Sequence, residues 1–473
     1  MSGLRIETWS MGRIARAMDG QLKGGQLTIE GPLGVSTDTR KLRQGDLFVA
    51  LRGERFDGHE FVDAALEKGA RGVVVDDASA ATSSDAAVIV VDDCYRALGA
   101  LGGALFQEAR QEGTQSIALT GSNGKTTTKE ILAALWKTRG EVWATQGNLN
   151  NHIGLPLTLC AMPERCDMLI LEMGANGPGE IADLIEIAPA DQRIITSIGR
   201  AHLEGFGSLL GVRRAKREIF QKSERATSAI VPVDEREYLV SRDFPGHLIT
   251  FGETSQADLQ VEASSVTTEG ERPGMTVKIR VYGKQMEIFL PLLGHHNAHN
   301  LAAALATLVT PAETLEISPL IQALRSLTLP GGRFRIERVG QFEVLDDAYN
   351  ANPSSMRASF AAFEAWLGEK PDCLSIAVIG DMLELGEEAL REHRDLGKWL
   401  AKRSSLTALA FVGEYAEEMA EAARRTTTAE VMTFDDVKAV ANYLAGQREA
   451  RIFLKGSRGN RLERIVDSLK PLS

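Results

Sequence analysis

The chain has 473 residues, with 53 Lys+Arg against 64 Asp+Glu for a formal net charge of −11, and is 44% hydrophobic and 25% charged. This balance fits a folded chain of about three domains, excludes wholesale disorder, and argues against a general nucleic-acid binder. No run reaches the ~18 apolar residues of a membrane span, the start LRIETWS lacks the apolar segment of a signal peptide, and Cys94, Cys160, Cys166 and Cys373 form no CxxC, so a reducing cytoplasm is expected.

Strand-like apolar runs alternate with helical stretches, which predicts an α/β chain. Residues 1–113 form the first expected domain: GDLFVAL, GVVVDD and AAVIVVDD read as strands, and helical VDDCYRALGALGGALFQEAR ends near Gly113. The second, 114–329, opens with strand QSIALT and continues with DMLILEMG (167–174) and QRIITSIG (192–199). A β-meander from 257 to 294 and a helix in HNLAAALATLV follow. Pro330, Gly331 and Gly332 predict a hinge. In the third domain, 330–473, SIAVIGD, ALAFVGE and ARIFLKG read as buried strands of a mostly parallel sheet with crossover helices.

The strongest local signal is QSIALT-GSNGKTT, a strand ending at Thr120, a Gly121-Ser122-Asn123-Gly124 loop, and Lys125-Thr126-Thr127 opening a helix. Glycines let backbone N–H groups face phosphate oxygens, and the helix N-terminus adds partial positive charge. Lys125 can reach the β/γ-phosphates and the Thr126 hydroxyl can ligate Mg²⁺. Leu119 stands where the usual P-loop has its first glycine. ATP binding is expected from this segment; the reaction is not.

Glu172 follows the apolar run MLIL, at the strand end that faces such a loop in an open parallel sheet. A carboxylate there suits Mg²⁺, and a surface glutamate is the alternative. His202, in the Gly-rich SIGRAHLEGFGS, reads equally as a ligand or as a solvated loop histidine. Ser208 is placed to cap a helix on which Val212, Lys216 and Ile219 share one face. An inward Lys216 favours its neutral form, and a neutral amine can add CO₂ to become a carbamate. The same lysine could instead snorkel to solvent.

In this order and spacing the segments resemble the Mur ligases, ATP-dependent amide-bond-forming enzymes of peptidoglycan precursor synthesis. TGSNGKTT, GNLNNHIGLPLTL (147–159), LEMGA, GRAHLEGFGS, AKREIF, GHHNAHN (294–300), GGRF and LDDAYNANP (345–353) carry the likeness over essentially the whole chain. It implies an N-terminal UDP-binding α/β domain, a central P-loop ATPase domain with a parallel sheet plus a small β-sheet, and a C-terminal Rossmann-like domain. It also implies that Thr120 to Thr127 hold ATP, that Asn297 and Asn300 lie near the adenine, and that Arg333, Asp347 and Tyr349 approach the nucleotide from the third domain.

The same resemblance implies two Mg²⁺ sites, one using Thr126 and Glu172 and one using His202 and a CO₂-derived carbamate on Lys216. Lys125, His202, Lys216 and Arg333 would then form the catalytic set. Asp38-Thr39-Arg40, with Asn150 and Asn151, are implied at the UDP substrate. Asn350, Asn352, Lys455 and Ser457 are implied on the acceptor side, although KGSR (455–458) also reads as a generic anion-binding turn. DDAYNANPSSM, and VIGDMLELG followed by His393, are most similar to the branch that adds D-alanyl-D-alanine to UDP-N-acetylmuramoyl-tripeptide. The branch that adds the third peptide residue is the enzyme alternative, and its Asp-Asn-Pro-Arg acceptor motif is absent from this sequence. A non-catalytic ATP-binding switch is the alternative from another class. The likeness further implies a monomer.

Overall fold

Strand Gln115–Thr120 alternates small and large apolar residues, so that Ile117 and Leu119 enter one core and Ala118 enters another. The alternation holds in Met168–Glu172, where Ile170 faces the first core and Leu169 and Leu171 the second. A strand buried on both faces must be covered by helices on both. In the computed structural model, helices Lys125–Trp136 and His295–Leu305 cover one side, and Gly154–Cys160, Glu180–Ile187 and Leu209–Arg217 cover the other. The structure describes residues 3–23, 32–54, 56–80, 86–270, 272–309, 316–368, 373–403 and 405–470. Arg55, in the first expected domain, Glu271, in the meander, and the chain ends lie outside the described residues.

The central sheet has nine strands in the order Lys284–Leu290, Arg272–Val281, Leu259–Glu269, His247–Gly252, Ser228–Pro232, Gln192–Ile195, Gln115–Thr120, Met168–Glu172, Val142–Ala144. The last six of these strands run parallel. The predicted meander is antiparallel. It joins the parallel sheet through the pairs Phe251↔Leu259 and Gly252↔Gln260, so the small sheet extends the large one instead of packing as a separate layer.

Five strands form the N-terminal sheet, parallel except for the edge strand Gln21–Lys23. The C-terminal sheet has six, in the order Arg335–Val339, Phe342–Asp346, Ala450–Lys455, Leu374–Ile379, Ala408–Val412, Glu430–Phe434, with only the first pair antiparallel. Helix Cys94–Gln111 serves two cores: Leu98, Leu101 and Leu105 pack into the N-terminal cluster, Phe106 and Ala109 into the central one. Its Gly102 allows the close approach of Pro156, whose Cα would lie 2.9 Å from an added Cβ. Among the described residues no helix is long and apolar enough to cross a membrane.

Candidate active site

Strand Gln115–Thr120 ends at the C-terminal edge of the central sheet, and the chain turns through Gly121–Gly124 into helix Lys125–Trp136. Gly124 has φ +82°, and a Cβ there would lie 2.3 Å from Asn300 Oδ1, so only glycine fits. The loop is pinned from below: Asn123 N donates to Ser197 Oγ (2.9 Å), and Thr196 Oγ1 donates to Asn123 O (2.6 Å). Lys125 Nζ donates to Gly121 O at 2.7 Å and so curls over the loop. Burial lowers the Lys125 ammonium below its ordinary range; Glu172 opposes this and Arg333 adds to it.

Parallel pairing sets Glu172 opposite Leu119, which brings its carboxylate to the mouth of the loop. Glu172 is 1% exposed. Its Oε2 accepts from Thr126 Oγ1 at 2.9 Å and its Oε1 from Asn150 Nδ2 at 2.8 Å. A hydroxyl and a carboxylate converging within hydrogen-bond distance are two hard oxygen donors, a set that fits Mg²⁺.

His202 has φ +51°, a left-handed conformation unusual for a residue with a side chain. Its Nδ1 lies 2.5 Å from Glu384 Oε2 of the C-terminal domain. The contact with His202 holds Glu384 below the usual carboxylate range. Ser208 caps helix Leu209–Arg217 by accepting from Gly211 N, and Val212, Lys216 and Ile219 are all buried, as their shared face requires. Lys216 Nζ lies 5.2 Å from the centre of the Phe206 ring. Burial, with repulsion from Lys125, pushes its ammonium down to about 7.

The C-terminal domain closes the far wall. Arg333 stacks on Tyr349, with Cζ 3.8 Å from the ring centre. Asp347 Oδ2 accepts from Ser359 Oγ (2.6 Å) and Lys455 Nζ (2.5 Å), and Lys455 also bonds Asn350 O. Asn352 caps helix Pro353–Leu367 through a reciprocal box with Ser355. Two bonds then cross to the phosphate-type loop: Asn352 Nδ2 donates to Asn123 Oδ1 (2.8 Å) and Asn123 Nδ2 to Ser354 Oγ (2.9 Å). Between the walls lies a cavity of about 590 Å³.

Of the residues singled out from the sequence, Ser122, Asn123, Gly124, Lys125, Thr126, Thr127, Asn150, Asn151, Glu172, His202, Asn297, Asn300, Arg333, Asp347, Tyr349, Asn350, Asn352 and Lys455 line this cavity. Thr120 is buried beneath the loop, and Gly121 contributes its carbonyl to Lys125. Lys216 is not among the lining residues and packs against Phe206, which also meets the His202 ring edge to face. Ser457 is buried, accepting from Leu383 N and donating to Ala351 O. Asp38, Thr39 and Arg40 form a turn with Arg40 exposed and the other two half-buried, closed by Arg40 Nε donating to Asp38 Oδ1, outside the cavity wall. The structure therefore separates that turn from Asn150, which bonds Glu172, and from Asn151, whose Oδ1 accepts from Gly154 N at the start of helix Gly154–Cys160.

Sequence reading missed Ser354, Glu384 and His296. Ser354 follows an Asn-Pro pair, a helix-start signal that was legible; Glu384 acts only through tertiary approach. His296 is half-buried, edge to face with Phe334, and desolvation pushes its imidazole down to about 4. His393 is a packing residue here: its Nε2 accepts from Met382 N and its ring stacks on Tyr415.

Comparison with known proteins decides the family. Residues 33–102 match the description "Mur ligase family, catalytic domain", 119–308 "Mur ligase middle domain", and 332–458 "Mur ligase, glutamate ligase domain". A curated protein of Bacillus subtilis, named UDP-N-acetylmuramoyl-tripeptide–D-alanyl-D-alanine ligase, is 36% identical over 97% of this chain and 98% of its own.

The chain belongs to the Mur ligase family.

The Escherichia coli protein of that name is 33% identical over 98% of each chain. Among solved Mur ligase structures, one from Acinetobacter baumannii has a TM-score of 0.85 at 29% identity, covering 98% of this chain and 99% of its own. Another, from Thermotoga maritima in complex with ADP, has a TM-score of 0.78 at 29% identity, covering 92% and 96%.

Proposed function

We propose that this Mur ligase joins D-alanyl-D-alanine to UDP-N-acetylmuramoyl-tripeptide at the expense of ATP, giving the pentapeptide, ADP and phosphate. Full-length likeness to ligases of that name supports the reaction, and the ADP-bound relative supports the nucleotide. The observation that carries the reading is the one cavity lined by Lys125, Thr126, Glu172 and His202 on one side and by Arg333 on the other.

A carboxylate is a poor electrophile, being negatively charged with no good leaving group. In this mechanism the tripeptide carboxylate oxygen attacks the γ-phosphorus and ADP leaves. The amine of D-alanyl-D-alanine then attacks the acyl carbon, and phosphate departs as the amine sheds its proton. The first step brings two anions together. Lys125, curled over the loop, and Arg333, from the facing domain, supply positive charge there. Thr126 and Glu172 would hold one Mg²⁺, which neutralises phosphate charge when bound. His202 and a carbamate on Lys216 would hold the second.

Lys216 meets the chemical condition for carbamylation, an amine with a substantial neutral fraction near pH 7. Asn297, Asn300 and His296 form the wall assigned to the adenine. Asn350, Asn352 and Lys455 line the side assigned to the acceptor, and the Asp38 turn is assigned to uridine. The three domains take the bounds 1–113, 114–329 and 330–473, and the enzyme acts as a cytoplasmic monomer.

The test is direct. Purified protein with ATP and Mg²⁺ is given either UDP-tripeptide or UDP-dipeptide as donor and is offered D-alanyl-D-alanine or single amino acids, with phosphate release and product mass as readouts. Pentapeptide formed only with the dipeptide is expected. Product formed only with a diamino acid on the dipeptide precursor would overturn the assignment.

A further inference from the structure

Helix His295–Leu305 presents Asn297 and Asn300 to the cavity. Its other side carries His295 and His299, one turn apart and therefore neighbours on the surface. Opposite them stands Glu253, directly after strand His247–Gly252. His295 Nε2 lies 2.9 Å from Glu253 Oε1, and His299 Nε2 lies 3.3 Å from the same oxygen. The two rings meet edge to face with centres 5.0 Å apart. All three donor atoms fall within 4.8 Å of one another.

Three features separate this group from an ordinary surface ion pair. His299 Nε2 is buried and makes no hydrogen bond, although the carboxylate is near. An orphaned imidazole nitrogen facing a ligand set lacks a partner that a cation would supply. Next, metal–donor bonds of about 2.0–2.1 Å at tetrahedral angles place donor atoms about 3.4 Å apart, near the 2.9 and 3.3 Å that separate Glu253 Oε1 from the two imidazoles. Finally, His295 Nδ1 is 2.9 Å from Ser264 Oγ on strand Leu259–Glu269. Anchoring one ring nitrogen aims the other, which is how protein-bound metal imidazoles are held.

We propose that His295, His299 and Glu253 form a binding site for a divalent transition metal of the zinc class, separate from the magnesium donors Thr126 and Glu172. Two imidazoles and one carboxylate are borderline-to-hard donors that favour such an ion over Mg²⁺, which prefers an all-oxygen shell. The partly exposed mouth leaves room for water as a fourth ligand. The bound ion ties the adenine-side helix to the junction between the parallel sheet and the meander. The site does not depend on which amide bond the enzyme makes.

The full chain, freed of any histidine tag and nucleotide, is titrated with Co²⁺ in excess Mg²⁺. One Co²⁺ per chain with the intense visible bands of a tetrahedral N/O site is expected, displaced by Zn²⁺. Zn²⁺ is also expected to raise the melting temperature. His299→Ala and Glu253→Gln should each weaken Co²⁺ binding at least tenfold, and the double variant His295→Ala/His299→Ala should lose the bands. Circular dichroism and retained ATP binding report that these variants are folded. Bands that persist in the folded double variant would overturn the proposal. So would bands that vanish in Glu172→Gln instead, or no uptake by the wild type at all.

Discussion

A lysine buried to 2% exposure beside a second lysine is destabilising while it carries a proton. Lys216 sits in that position, and a neutral amine relieves the strain and opens the route to a carbamate. Wild-type activity is therefore expected to fall in bicarbonate-free buffer. Lys216→Ala should lose activity by at least ~10- to 100-fold, the range seen when metal-site partners are removed. Formate or acetate should restore part of it. Steady-state assays with and without added bicarbonate check this; equal rates in both would remove the carbamate from the mechanism.

Asp346 gives a pH signature at the same scale. Burial, with repulsion from Asp347 and Glu337, pushes its carboxyl up to about 6 from 3.8, against a bond from Ala348 N. Between about pH 4 and pH 6 the folded chain keeps a proton that the unfolded chain has released, so stability falls as pH rises through that window. Above pH 6 the full penalty applies, on the order of 2–3 kcal/mol. Asp346→Asn should therefore stabilise the C-terminal domain at pH 8 and make little difference at pH 4. Urea unfolding at the two pH values is the measurement; an equal effect at both would refute the burial account.

At the scale of elements, helix Pro353–Leu367 combines two tasks at one residue. Asn352 caps it through Oδ1, which accepts from Ser355 N, and reaches the facing loop through Nδ2. Asn352→Asp keeps an acceptor for the cap and deletes the donor to Asn123. Asn352→Ala deletes both. Loss of an Asn cap costs about 0.5–2 kcal/mol, so the alanine variant should lower the stability of the C-terminal domain while the aspartate variant should not. Both should raise KM for ATP. Denaturant unfolding with steady-state kinetics separates the two tasks; matching stability loss in both variants would show that the cap does not depend on an acceptor.

This helix also marks how far sequence carries. Its start was legible, because Asn-Pro-Ser-Ser is a local signal and local signals survive in sequence. Strands such as Gln115–Thr120 and Met168–Glu172 were legible because burial on both faces makes their runs apolar. The inward face of Lys216 was legible from helical spacing. Other features arise only when distant segments meet, and no local pattern encodes them. Among these are the contact of Glu384 with His202, the fusion of the meander to the parallel sheet through two residue pairs, and the Asn123–Ser354 bridge. Lys455 shows the same limit from the other side: KGSR read as an acceptor-side segment or a generic anion turn, while in the fold its ammonium bonds Asp347 and Asn350.

At the scale of the whole molecule, the cavity exists only while the C-terminal domain faces the central one. Among the described residues the polar contacts between them are partly exposed: Asn123 with Asn352 and Ser354, Arg200 with Glu388 at 3.4 Å and Glu392 at 3.9 Å, and Glu384 against His202; Leu293 in the C-terminal core and His296 on Phe334 add packing. Exposed ion pairs are worth about 0–1 kcal/mol each. Substrates that touch both walls bind the closed form better, so they are expected to select it. Apparent affinity then scales with the closed fraction, and a tenfold drop in that fraction raises the apparent dissociation constant about tenfold. Arg200→Ala/Glu384→Ala leaves Lys125, Glu172 and Arg333 untouched. It is expected to raise KM for ATP and for the UDP substrate more than it lowers kcat. The ligand-free radius of gyration should increase, and saturating substrates should restore the wild-type value. Small-angle scattering paired with steady-state kinetics reads both effects. Superimposable scattering curves together with unchanged KM would mean that the two domains are held by something other than these contacts.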